Sequence, residues 1–142
     1  MQPAELKRFL KYCAVGVLNT VVTLVVIFVT KSLIGLPPML CNALGYTAGV
    51  INSFLWNRAW VFRSDGKMGR EAVKFLLGFG ICYAAQFLLV WWLSTGLLAP
   101  CEWNLGFFTL SGYGAATLAG NVLYTILNFI FNRLITFSPT SK

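Results

Sequence analysis

Charged residues come in bunches along this chain, separated by long uncharged intervals. Nineteen uncharged residues lie between Lys11 and Lys31, 26 between Lys31 and Arg58, 27 between Lys74 and Glu102, and 30 between Glu102 and Arg133. A bilayer core about 30 Å thick takes roughly 20 apolar residues per helix, so each interval predicts one transmembrane helix. The expected spans are about 9–30, 38–57, 74–95 and 107–131, which use up the chain and leave no room for a soluble domain. The first span has a basic lead (Lys7, Arg8, Lys11), but it is too long for a signal peptide and no A-x-A-like site ends it. It is read as a retained helix.

The pattern repeats. Slid by 75 residues, Asn57-Arg58 falls on Asn132-Arg133, and Gly45, Ile51, Phe54 and Phe62 fall on Gly120, Ile126, Phe129 and Phe137. The preceding helices correspond at a shift of 66, Arg8-Phe9 falling on Lys74-Phe75 and Thr20 on Gln86. We therefore expect an all-α membrane protein with a single transmembrane domain, residues 1–142, made of two helical hairpins in tandem. The hairpins would span about 6–63 and 74–138, joined by a cytoplasmic loop over 64–73. Each hairpin holds an even number of spans, so both enter from one side and the repeat is parallel.

Composition agrees. The 142 residues are 58% hydrophobic and 11% charged, against about 25% charged in soluble domains. Ten of the eleven basic side chains fall on segments that must share one side; Lys31 alone falls opposite. Basic residues mark the cytoplasmic side, so both termini are expected there. The net charge of +7 raises nucleic acid as a partner. The basic residues, however, form shallow collars at a membrane face, where anionic lipid headgroups account for them, so no nucleic acid is expected.

The chain has no histidine, and its four carboxylates (Glu5, Asp65, Glu71, Glu102) are expected outside the spans. Acid–base catalysis and metal ligation therefore lack candidates, and no enzyme activity, cofactor or metal is expected. Proton-coupled export lacks an intramembrane titratable group for the same reason. Cys13, Cys41, Cys82 and Cys101 show no metal-type spacing.

Polar residues inside the spans stand out. Asn42, Gly45, Tyr46, Gly49 and Ser53 fall on one helical stripe, and Thr117, Gly120, Asn121, Tyr124 and Asn128 on another. The first and third helices add Asn19, Thr20 and Gln86. Asn19, Gln86 and Asn121 lie 11 or 12 residues from Arg8, Lys74 and Arg133, roughly 17 Å and thus near the midplane. Asn19, Thr20, Tyr46, Asn52, Gln86, Asn121 and Asn128 are candidates either for close helix packing or for a polar path. At the helix ends, Arg58 and Arg133 suit an interfacial anchor. Arg occurs both times, never Lys, and each time behind Asn. A guanidinium fork with an adjacent amide can cradle a lipid phosphate, so Arg58, Arg133, Asn57 and Asn132 are candidate phosphate ligands.

F-x6-G-x2-N-T (Phe9, Gly16, Asn19, Thr20) and N-x4-N-R-x-W-V-F (Asn52, Asn57, Arg58, Trp60, Val61, Phe62), with a weaker second copy that lacks the tryptophan, resemble the GtrA-like family of four-helix bacterial membrane proteins. The resemblance implies residence in the cytoplasmic (inner) membrane and translocation of a polyprenyl-phosphate-linked sugar, such as undecaprenyl phosphate-glucose, for cell-surface polysaccharide. It also implies a membrane glycosyltransferase as partner, and the departure in the second copy implies that the two halves bind unequally. Two alternatives stay open: a scaffold that recruits the transferase and moves nothing, and a homo-oligomer with the path between protomers.

Overall fold

The computed structural model describes residues 3–99, 101–104, 106 and 109–138. Among these residues stand four long helices: α1 (Pro3–Phe28), α2 (Pro38–Trp56), α3 (Met68–Thr95) and α4 (Gly112–Phe131). Single π-turns extend α1 at Val29–Leu33, α2 at Asn57–Val61 and α4 at Asn132–Thr136. Two three-residue strands, β1 (Glu102–Asn104) and β2 (Thr109–Ser111), pair antiparallel between α3 and α4, Trp103 facing Leu110. The chain divides into two compact units, one containing α1 and α2 and the other α3 and α4.

Pro37 and Pro38 start α2, proline being tolerated where the first-turn N–H has no helical partner. Ser111 caps α4 by accepting from the Gly114 N–H. Large apolar side chains on α1 (Leu10, Val21, Leu24, Phe28) and α3 (Leu76, Leu77, Phe87, Leu88) are exposed, as lipid-facing surfaces require. Among the described residues three helices are long and apolar enough to cross a bilayer: Pro3–Leu33, Met68–Thr95 and Gly112–Thr136. The expected fourth, α2, has the length, but Asn42, Thr47, Asn52 and Ser53 dilute its hydropathy.

Several boundaries differ from the sequence reading. Helix α3 begins at Met68, so Arg70, Glu71 and Lys74, expected in or at the edge of a loop over 64–73, lie on helix. Good helix formers (Arg, Glu, Ala, Lys) carry the helix outward past the apolar stretch. Glu71 is then no loop carboxylate: only 4% exposed, it opens the buried face that continues through Phe75, Gly78 and Cys82. Helix α4 starts at Gly112 and not near 107, because residues 109–111 are used in β2; Phe107 and Phe108 lie outside the described residues.

Within the first unit, α1 and α2 run antiparallel and close. A Cβ placed on Gly45 would meet Ile27 Cγ1 at 2.6 Å, and one on Gly49 would collide with Thr23 Oγ1. Within the second, a Cβ on Gly120 would meet Val90 Cγ2 at 2.5 Å, and one on Gly78 would strike the Phe131 ring. The glycines serve packing: without a solvent-driven hydrophobic effect in lipid, helices associate where small residues admit close approach. That also moves the expected stripes. Cys41, Gly45 and Gly49 form the buried line of α2, while Tyr46, one residue round the helix, is 67% exposed.

Candidate functional site at the matched helix ends

The two Asn-Arg steps both begin a π-turn, and their geometry matches. Asn57 donates Nδ2 to Ser53 Oγ (3.2 Å), one turn back. Asn132 donates Nδ2 to Asn128 Oδ1 (3.2 Å), and Asn128 donates in turn to the Tyr124 hydroxyl (3.3 Å). Asn57 and Asn132 are 1% and 0% exposed, and each has its Oδ1 without a hydrogen-bond partner. Thr136 Oγ1, four residues beyond Asn132, is likewise buried and unpartnered. Buried acceptors without donors are rare and costly, on the order of 1–3 kcal/mol each. Each Asn therefore works inward, along its own helix, and not at the surface beside its arginine.

The arginines stand differently. Arg133 is exposed; Arg58 is half-buried and donates Nη2 to the Gly66 carbonyl oxygen at 2.7 Å. That bond folds the segment after α2 back onto the helix end. Ser64 N–H closes on Arg58 O at 3.0 Å and Phe62 N–H on Asn57 O at 2.9 Å. Arg63 is held at φ 49°, the left-handed region that Gly35 (φ 78°) occupies after the π-turn of α1. In the second unit a different cation caps the end: Lys74 Nζ donates to Ile135 O at 3.0 Å, and Phe75 packs against Phe137 at 6.4 Å. A cation at the negative end of a helix is favourable.

Deeper in each hairpin the amides meet in pairs. Asn52 Nδ2 donates to Asn19 Oδ1, and Gln86 Nε2 donates to Asn121 Oδ1, both at 2.7 Å. The structure thus brings four of the seven interior candidates into two cross-helix bonds. The pairs differ in depth. Asn52 lies six residues before Arg58, about 9 Å along the helix, whereas Asn121 lies 12 before Arg133, about 18 Å. Thr20 bonds back to Gly16 O on its own helix, and Asn128 belongs to the helix-end ladder. The sequence reading placed Ser53 on the α2 stripe and Glu71 outside the spans without seeing the bond of the one or the burial of the other, and it did not single out Thr136; the Asn57–Ser53 and Asn132–Asn128 spacing of four residues was the available signal for the ladder.

Long helices apolar on their outer faces and joined inside by glycine contacts and amide bonds define a multi-pass membrane protein. The chain belongs to the family described as GtrA/DPMS, transmembrane domain, which matches residues 11–137 and bears out the resemblance read from the two motifs. Membership sets it among membrane proteins that handle polyprenyl-linked sugars. It is 35% identical over 141 residues to the uncharacterized membrane protein YngA of Bacillus subtilis (strain 168), covering 97% of this chain and 84% of that one.

Proposed function

We propose that the protein moves a polyprenyl-phosphate-linked monosaccharide from the inner to the outer leaflet of the bacterial cytoplasmic membrane, for glycan assembly or modification outside. Both termini and the two Asn-Arg helix ends face the cytoplasm, where a membrane glycosyltransferase makes the lipid. Arg58 and Arg133 contact the phosphate. The observation that carries this reading is the matched pair of helix ends: each buries its asparagine while the neighbouring guanidinium stays at the rim, where a lipid phosphate lies. Asn57 and Asn132 thereby act as positioning residues that fix the π-turn. The cross-helix amide pairs Asn19–Asn52 and Gln86–Asn121 mark a polar route into the hydrocarbon region, where unneeded polarity is expensive.

Transport is non-catalytic and uncoupled. Helix α3 beyond Lys74 and α4 carry no charged residue, and Glu71 lies three residues on the rim side of Lys74, away from the midplane. Lipid synthesis inside and sugar consumption outside supply the gradient.

A scaffold reading draws on the ordered segment after α2, where Arg58, Ser64 and Gly66 bond to one another and present Asp65 and Lys67 outward. Reconstitution separates the two. Purified protein in proteoliposomes should accelerate exposure of a lipid-linked sugar in the outer leaflet, and Arg58→Ala with Arg133→Ala should abolish the acceleration. No acceleration by the unaltered protein, with transferase binding retained, establishes the scaffold instead.

A further inference from the structure

An apolar groove of about 230 Å³ runs between α3 and the end of α4, walled by Cys82 and Ala85 on one side and Leu127, Phe131, Leu134 and Ile135 on the other. Its two ends are chemically different. At the rim, Leu134 follows the exposed Arg133 in the chain, and the Ile135 carbonyl accepts from Lys74 Nζ at 3.0 Å. At the far end, Ala85 precedes Gln86, which bonds Asn121 across the hairpin. From Leu127 to Leu134 the groove follows the helix for roughly 10 Å. It therefore leads from two cations at the membrane surface toward the midplane, the direction in which a lipid anchored by its phosphate lays down its tail.

We propose that this groove seats the head-proximal part of a prenyl chain whose phosphate lies at Arg133 and Lys74. The inference rests on the proposed function, and it makes the α3–α4 hairpin the seat of the lipid. The groove's walls are aliphatic, aromatic and thiol side chains, which reward an apolar chain and reject a sugar. Its volume of about 230 Å³ is below the 300–1,000 Å³ typical of pockets that enclose a whole small molecule, so it takes a segment of one chain, and the two cations at its rim select a chain that carries a phosphate. The first hairpin ends differently: Lys11 covers the Trp60 ring at the position that corresponds to Ile135.

Ala85→Trp fills the groove from the α3 side. The experiment compares binding of geranyl phosphate and of dimethylallyl phosphate, which differ by one isoprene unit within the length of the groove, to the full chain in nanodiscs. In the unaltered protein the longer chain should bind more tightly. In Ala85→Trp that preference should shrink by roughly tenfold, as expected when a few buried carbons are lost, while Arg133→Ala should weaken both probes alike. A thermal unfolding midpoint within a few degrees of the parent shows that the variant is folded. Should it not be, a photoreactive prenyl phosphate applied to the unaltered protein must label residues 127–135. A chain-length preference that survives Ala85→Trp, or labelling elsewhere, overturns the groove as the prenyl seat. Unchanged binding in Arg133→Ala overturns the phosphate site instead, so the two failures are distinguishable.

Discussion

Lys11 Nζ stands 5.1 Å from the centroid of the Trp60 ring, and Trp60 meets Trp56 edge-on at 6.2 Å. In the second hairpin the counterpart of Trp60 is Ile135, and a lysine again arrives from the preceding helix: Lys74, bonded to the Ile135 carbonyl. One task, bringing a cation to the closing π-turn, is thus done by a ring face in one half and by a backbone oxygen in the other. The absence of a second tryptophan follows from this division. Lys11 and Lys74 hold equivalent places, each one residue before a buried aromatic (Tyr12, Phe75) and four before a second buried residue (Val15, Gly78), so the first helices of the two hairpins match at a shift of 63 and not at the 66 read from the sequence.

The Lys11–Trp60 pair should behave as a coupled unit. A double-mutant cycle with Lys11→Met and Trp60→Leu, read by thermal unfolding in detergent, should give a coupling of about 0.5–1 kcal/mol, the usual range for an exposed cation over an aromatic face. The same cycle with Lys74→Met and Ile135→Leu should give none, because that lysine contacts main chain, which the side-chain swap leaves in place. Coupling in the second cycle would show that Lys74 reads the side chain.

The glycine contacts predict a graded packing response. Gly49→Leu puts a side chain where Thr23 Oγ1 already lies and should destabilise the first hairpin by about 1–3 kcal/mol. Gly80→Leu, on α3 with nothing within 4 Å of its Cβ position, should be close to neutral. Equal loss at both positions, measured as resistance to SDS titration, would mean that the helix pair is not held by close approach at Gly49.

Arg63 is the one described non-glycine residue with positive φ. Its counterpart in the turn after α1 is Gly35, whose missing Cβ makes that conformation inexpensive. Arg63→Gly should raise stability by roughly 1 kcal/mol, the strain that a side chain carries there. A loss in the unfolding midpoint would instead assign the Arg63 side chain a contact that outweighs its backbone strain.

How much of this was legible beforehand follows from what periodicity can record. Charge bunching located the four helices, since a lipid-facing span must exclude ions along its whole length. The two Asn-Arg steps marked the helix ends because the same turn is built twice. The facing of Tyr46 and Asn57 was not legible. A stripe drawn through polar and small residues assumes that polarity points inward, whereas in lipid the glycines choose the face and Tyr46 is carried round with them. Asn57 looked like a surface partner of Arg58, but neighbours in a helix point about 100° apart. The burial of Glu71 was hidden because a helix extending beyond the apolar stretch looks, in sequence, like the start of a loop.

Phosphate binding and depth anchoring make opposite predictions for one conservative change. If Arg58 and Arg133 only fix helix depth, lysine serves as well, since its charge and its snorkelling reach are similar. If they grip phosphate, lysine forfeits the planar fork and its paired hydrogen bonds. Arg133→Lys should therefore keep the unfolding midpoint and slow lipid-sugar exposure in proteoliposomes by roughly tenfold, about 1.4 kcal/mol. Arg58→Lys should do two things at once, because the same guanidinium also donates to Gly66 O. It should slow exposure and also loosen the segment at 62–67, read as faster amide hydrogen exchange there. Normal transport by Arg133→Lys, with exchange altered only in Arg58→Lys, would reduce both arginines to structural anchors and leave the scaffold as the better account.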